Sequence, residues 1–347
     1  MTAKTPRIAI GKGLPNLAAQ TLRFYRQMGV TEVVMPSRYS TVVRRRPLVP
    51  PAQTGALRPQ PEPWREAELR RIMDRITAHD LAPAAINLPL SGHIVMGRPG
   101  RDADLERVMA NIRTAGGLGL SVLTYNFTAL RASEGYAARP GAGRGGANLR
   151  DFDNGRIAGL PPLPDVGVIG LDEMWANLTY YLQAVVPVAE EAGVRLAVHP
   201  NDPPVPVYRG VAQPLADMAG WRRLLDTYDS SSNCLFFDTG VTTELGEDAP
   251  SAIREFGGRD RIAIVHYRNV RVSTPRYVYL ETFHEEGDCD MMACMEAFVE
   301  VGYCGLVDPD HTLGITDDSV DTRMGWAFAI GQLVTLRDVA MRRAGLA

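Results

Sequence analysis

The sequence is poor in cysteine. Cys234, Cys289, Cys294 and Cys304 are the four in 347 residues, and no two of them form a C-x-x-C pair. That pattern excludes a zinc ribbon, a thioredoxin-like redox motif and a disulfide-stapled secreted scaffold. The four read as reduced thiols, mostly structural. An excess of one charge is lacking too. Thirty-seven basic side chains stand against 40 acidic ones, a net charge of −3, so the positive field of a nucleic-acid binder is missing. The run Arg44-Arg45-Arg46 lies in a Pro-rich stretch and reads as a solvated loop. No stretch approaches the roughly 20 apolar residues that span a bilayer. The N-terminus is short and polar before an apolar run of strand length only, so no signal peptide and a cytoplasmic location are expected.

What the chain does have is rhythm. Apolar runs of strand length fall at 7–11, 31–36, 83–87, 121–127, 195–200, 234–239, 262–270 and 305–310. Most are nearly continuous, as in Leu235-Phe236-Phe237 or Ile262-Ala263-Ile264-Val265. Strands buried on both faces of a parallel sheet look like this. Segments with helical spacing lie between them, among them 17–28, 64–78, 104–115 and 174–192, the last closed by Gly193. Eight strand–helix repeats in a chain with 45% hydrophobic residues predict a single (β/α)8 barrel over 1–347. A doubly wound sheet is the alternative. It is disfavoured because Ile10-Gly11-Lys12-Gly13 lacks the third glycine and the later acidic residue of a dinucleotide site. Two long segments, 37–63 and 132–170, break the rhythm after strands. Each is expected to be either a functional lid at the barrel mouth or disordered.

Chemistry gathers at the C-terminal ends of the later strands. His199 closes the fifth run, Asp238 the sixth and Asp310 the eighth, while His266 lies near the end of the seventh. Singly, each has a bland alternative: a hydrogen-bonded core histidine, a turn or a helix cap. On four consecutive strands of one barrel they converge on one mouth. Two imidazoles and two carboxylates suit Mn²⁺, Fe²⁺, Co²⁺ or Mg²⁺ better than a structural zinc.

Several segments resemble the mannonate dehydratases. His199-Pro200-Asn201-Asp202-Pro203-Pro204 is similar to that family's His-Pro-Asp-Asp-Pro-Pro. Also similar are the helix at 184–194, Tyr125-Asn126-Phe127, His266-Tyr267-Arg268, Thr282-Phe283-His284-Glu285 with the following Gly287-Asp288-Cys289-Asp290-Met291, and Pro309-Asp310-His311. The resemblance covers most of the chain and identifies it as a divergent member. It implies the xylose-isomerase-like barrel, an Mn²⁺-type ion on His199, His266 and Asp310, a hydro-lyase acting on a sugar acid, and a homo-oligomer. Three positions depart from the family pattern. Asp238 replaces a cysteine ligand, Asp308 replaces an arginine, and Gly325-Trp326 replaces Gly-Tyr.

Under this reading His311 is the first candidate for proton transfer, because it adjoins a ligand and imidazole titrates near neutral pH. Its alternative is a partner that orients a ligand. Arg268 points to the same side as His266 and is expected to hold the substrate carboxylate, with a structural salt bridge as its alternative. Tyr125 and Asn126 are expected to bond sugar hydroxyls, His284 to touch substrate, and Asn87 and His93 to lie near the third strand's exit. The competing activity is a metal-dependent keto-sugar isomerase or epimerase on the same fold. A sugar-binding barrel without catalysis is a third reading.

Overall fold

A computed structural model describes residues 5–44, 63–130 and 133–346. Eight parallel strands close into a barrel: β1 (Arg7–Gly13), β2 (Glu32–Met35), β3 (Ala82–Asn87), β4 (Val122–Asn126), β5 (Arg195–His199), β6 (Asn233–Asp238), β7 (Ile262–Tyr267) and β8 (Cys304–Pro309). β1 pairs with β2 on one side and β8 on the other, which completes the ring. One long helix follows each strand: Ala19–Gln27, Glu66–Thr77, Arg101–Gly117, Leu171–Glu191, Met218–Thr227, Ala249–Gly258, Met291–Glu300 and Arg323–Arg343. The expected alternation is thus present, and the run expected at 262–270 stops at Tyr267.

The period-2 alternation of a strand divides its side chains between two cores. Ala197, Cys234, Phe236, Ile264 and Leu306 fill the barrel interior. Ile10, Leu123, Leu196, Val198 and Val307 join the larger layer between strands and helices, all fully buried. Each such side chain contributes roughly 1.5–3 kcal/mol. The interior is tight at β1, where a Cβ on Gly11 would lie 2.1 Å from Leu306 Cγ. Only glycine lets the strands close there.

The segment expected at 132–170 to be either a functional lid or disordered is described from residue 133 onward. It contributes the strands Tyr136–Arg139 and Leu149–Asp153 to a second, antiparallel sheet. The loop after β7 supplies the other two, Val270–Thr274 and Val278–Glu281. The order is 270–274, 278–281, 149–153, 136–139. Both pairs leave the barrel at strand C-termini, so this sheet caps the mouth. Of the other long segment, 45–62 lies outside the described residues, as do Arg45 and Arg46 of the basic run. Among the described residues, no helix is long and apolar enough to cross a membrane.

Candidate active site

The strand ends bring His199, Asp238 and His266 together, with one donor atom of each within 4.8 Å of the others. Asp238 Oδ2 lies 3.3 Å from His199 Nε2 and 3.6 Å from His266 Nδ1, and those two nitrogens are 3.2 Å apart. Asp310 Oδ2 stands 3.4 Å from His266 Nδ1 and extends the group along the mouth. His199 Nδ1 faces the Pro200 carbonyl at 2.8 Å. A proton on Nδ1 satisfies that carbonyl and leaves the Nε2 lone pair turned to the carboxylate, as a metal-ligating histidine needs. Phe236 forms the floor, its ring centroid 4.1 Å from His266 and 5.1 Å from His199. Below the donors the site is apolar. Two imidazole nitrogens and carboxylate oxygens at this spacing fit a borderline-hard divalent cation.

Asp238 is fully buried yet charged. Burial favours its neutral form, but Arg268 and the two imidazoles outweigh that and hold its pKa well below the usual carboxylate range. Its Oδ1 accepts Val241 N–H at 2.9 Å, which leaves Oδ2 for the histidines and Arg268. Burial also opposes the charged form of His199, and the hydrogen bond and charge of Asp238 still raise its pKa. A cation between the two competes directly with that proton.

Arg268 is expected from the sequence either to hold the substrate carboxylate or to form a structural salt bridge. It lies beside the metal-competent group, but it is 1% exposed and its guanidinium is taken up by protein carboxylates. Nε donates to Asp238 Oδ2 at 3.0 Å, Nη1 to Glu244 Oε1 at 2.7 Å and Nη2 to Asp202 Oδ2 at 2.9 Å. A fork so engaged fixes Asp238, which is the salt-bridge alternative in a specific form.

His311 adopts φ +54° and points back into the site. Its Nε2 lies 3.0 Å from Asp310 Oδ2 and its Nδ1 3.0 Å from Glu281 Oε1. Glu281 closes the cap-sheet strand Val278–Glu281 and receives Arg150 Nε at 2.7 Å from the strand paired with it. Burial would raise the Glu281 pKa, but Arg150 and His311 together push it down to about 2. The cap therefore braces the imidazole. Tyr136 joins the same wall, donating to Asp202 and lying 2.7 Å from the Tyr279 hydroxyl.

The other expected residues divide between the mouth and positions away from it. Asn126 is exposed at the end of β4, paired in register with His199, and Asn87 is exposed at the end of β3, bonded to the Thr124 carbonyl at 3.2 Å. Tyr125 is displaced from the expected position. It is fully buried on the helix-facing side, its ring 5.2 Å from Tyr181, because consecutive strand residues face opposite ways. His284 is 5% exposed and packs edge-on to Tyr267, leaving almost no surface for substrate. Burial lowers its pKa to about 4. His93 pairs with Asp104 at 3.0 Å, at the start of the third outer helix.

Lys12, Asp202, Glu244, Glu281 and Arg150 carry the site's electrostatics without having been expected there. Asp308 forms a buried ion pair with Lys12 and accepts Gly13 N–H at 2.7 Å. The same ammonium lies 4.0 Å from the centroid of the Trp326 ring. Two of the three departures from the family pattern therefore meet on one lysine. Asp202 sits in a motif already singled out. For Lys12, Glu281 and Arg150, pairings across more than 100 residues left no local signal, and Glu244 meets Arg268 from 24 residues away.

A family model described as D-mannonate dehydratase (UxuA) matches residues 165–341. "Mannonate dehydratase 2" of Halalkalibacterium halodurans is 29% identical over 275 residues, covering 72% of this chain and 79% of its own. A mannonate dehydratase of Streptococcus suis is 29% identical over 265 residues, 68% of this chain and 70% of its own. The crystal structure of mannonate dehydratase from Streptococcus suis serotype 2 superposes with a TM-score of 0.83 at 25% identity, covering 98% of this chain and 95% of that one. An L-ribulose 3-epimerase structure shares the fold at a TM-score of 0.54 and 16% identity, covering 97% of each chain.

Proposed function

The chain belongs to the mannonate dehydratase family, and from that premise we propose that it is a metal-dependent hydro-lyase converting a D-mannonate-like aldonate to a 2-keto-3-deoxy sugar acid and water. The observation that carries this is the convergence of His199, Asp238 and His266 at the barrel mouth. With Asp310 beside them they would hold a divalent cation, Mn²⁺ by the family resemblance, which when bound supplies Lewis-acid stabilisation of the negative charge developing next to the substrate carboxylate. Arg268 keeps Asp238 ionised and aimed. His311, held between Asp310 and Glu281, moves the proton at C2 or at the departing hydroxyl. Asn87 and Asn126, exposed at neighbouring strand ends, offer carboxamides to sugar hydroxyls. Phe236 and the cap sheet limit water around the reacting carbons, which strengthens every charge interaction there. The family resemblance also supports a cytoplasmic homo-oligomer.

One observation favours a second reading. A carboxylate at position 238 hardens the site, as in metal-dependent isomerases and epimerases that abstract the same type of proton and expel nothing. Metal-stripped protein reloaded with Mn²⁺ and given D-mannonate in deuterated water separates the two. A 2-keto-3-deoxy product is expected. Deuterium exchange without loss of water, or turnover of keto-sugars alone, overturns the dehydratase.

A further inference from the structure

Outside the mouth, the helix Met291–Glu300 begins with Asp290 as its N-cap, whose side chain accepts Ala293 N–H at 2.9 Å. The residue before such a cap packs on the fourth residue of the helix. Here both are cysteines. Cys289 Sγ lies 3.4 Å from Cys294 Sγ. Cys294 is fully buried, while Cys289 is partly exposed and lines a cleft of about 830 Å³ shared with Met292, Phe328 and Leu336. The pair is thus preorganised, and one sulfur is reachable.

We propose that Cys289 and Cys294 form a dithiol that a hydroperoxide oxidises to an intramolecular disulfide, a modification site separate from the metal-competent group. The Cys289 thiolate attacks the peroxide oxygen. An S–O bond forms, the O–O bond breaks, and the leaving oxygen takes up a proton as water or alcohol. Cys294 then attacks the sulfenic sulfur. The S–S bond forms, the S–O bond breaks, and the Cys294 proton leaves with hydroxide as water. Two thiols lose two electrons and two protons, and the peroxide gains them. The order follows from access and acidity. The hydrogen bond from Cys294 lowers the Cys289 pKa, while the same bond and burial raise that of Cys294. Bond formation needs the sulfurs to close to about 2.05 Å. Cys289 lies in the loop that precedes the helix Met291–Glu300. Its N–H and carbonyl are bonded to the Asn269 side chain at 3.0 and 2.9 Å, and that side chain also holds the His284 carbonyl at 2.6 Å. Asn269 follows Arg268 in sequence, so the loop's position is tied to the residue that orients Asp238.

The test uses the full chain treated with hydrogen peroxide, quenched, alkylated under denaturing conditions and mapped by peptide mass. Expected is the loss of two of the four alkylatable cysteines, with Cys289 and Cys294 in one disulfide that dithiothreitol reverses. In Cys294→Ser the reaction should stop at a sulfenic acid on Cys289, trapped by dimedone. Full alkylation of Cys289 and Cys294 under peroxide that oxidises the exposed Cys304 overturns the proposal. So does a disulfide that joins Cys289 to any other cysteine. The wild-type mapping needs no variant to fold.

Discussion

Arg268→Lys distinguishes an arginine that holds substrate from one that holds a metal ligand. The guanidinium sends three nitrogens in three directions, to Asp238, Glu244 and Asp202 at 2.7–3.0 Å. A lysine ammonium keeps the charge but is one nitrogen on a flexible stem, and cannot reproduce the fork. It can satisfy one of the three carboxylates well. Hydrogen bonds to charged groups contribute about 1.5–3 kcal/mol each, so losing two costs ~3–6 kcal/mol of folding stability. Asp238 also loses the partner that aims Oδ2. Loss of an outer partner of a ligand typically weakens metal affinity 10–100-fold, or about 1.4–2.7 kcal/mol. Denaturant unfolding of the apo protein and calorimetric titration with Mn²⁺ measure both quantities. A substrate clamp makes the opposite forecast, in which KM rises while apo stability and Mn²⁺ affinity stay at wild-type values. That second outcome would refute the role assigned to Arg268 and return it to the substrate.

Further outcomes follow from other charges. Lys12→Met strands Asp308, 3% exposed, and should destabilise the fold by about 3–5 kcal/mol. Adding Asp308→Leu should recover most of that in denaturant unfolding, and additive losses would contradict the pairing. Glu281 has its pKa depressed from 4.5 to about 2, so its contribution is full above pH 4.5 and is lost as pH falls towards 2. That amounts to roughly 3 kcal/mol, and Glu281→Gln should flatten the acid limb of stability over that interval. An unchanged acid limb would place the ion pair with Arg150 outside the stability balance. Asp238→Cys should retain a divalent ion but shift preference towards softer metals; unchanged relative affinities for Mn²⁺, Co²⁺ and Zn²⁺ would remove Asp238 from the ligand set.

The barrel was legible because strands buried on both faces carry apolar residues at every position, and Leu235-Phe236-Phe237 can be read without its neighbours. The metal-competent residues were legible for a related reason. A polar side chain that ends such a run has one place to go, the mouth, and His199 and Asp238 both do so. The cap sheet had no comparable signal. Its strand Leu149–Asp153 reads Leu-Arg-Asp-Phe-Asp, with charges on both faces and no apolar run, and its partner Val278–Glu281 lies more than 100 residues away, so neither segment announces that it will carry Arg150 and Glu281 to His311. Arg268 and Tyr125 differ in kind, because local physics bore on both. Parity put Arg268 on the His266 side of β7, and there the structure holds it; the number of carboxylates competing for its fork depended on Asp202 and Glu244, which other loops and helices deliver. For Tyr125 the same parity argued against the expectation. Asn126 and Tyr125 are adjacent on β4 and cannot both face the mouth, and since Asn126 pairs with His199, the tyrosine must face the helices. Applied to every strand end before any role is assigned, that rule admits Asn87, Asn126, His199, Asp238 and His266 and turns Tyr125 away.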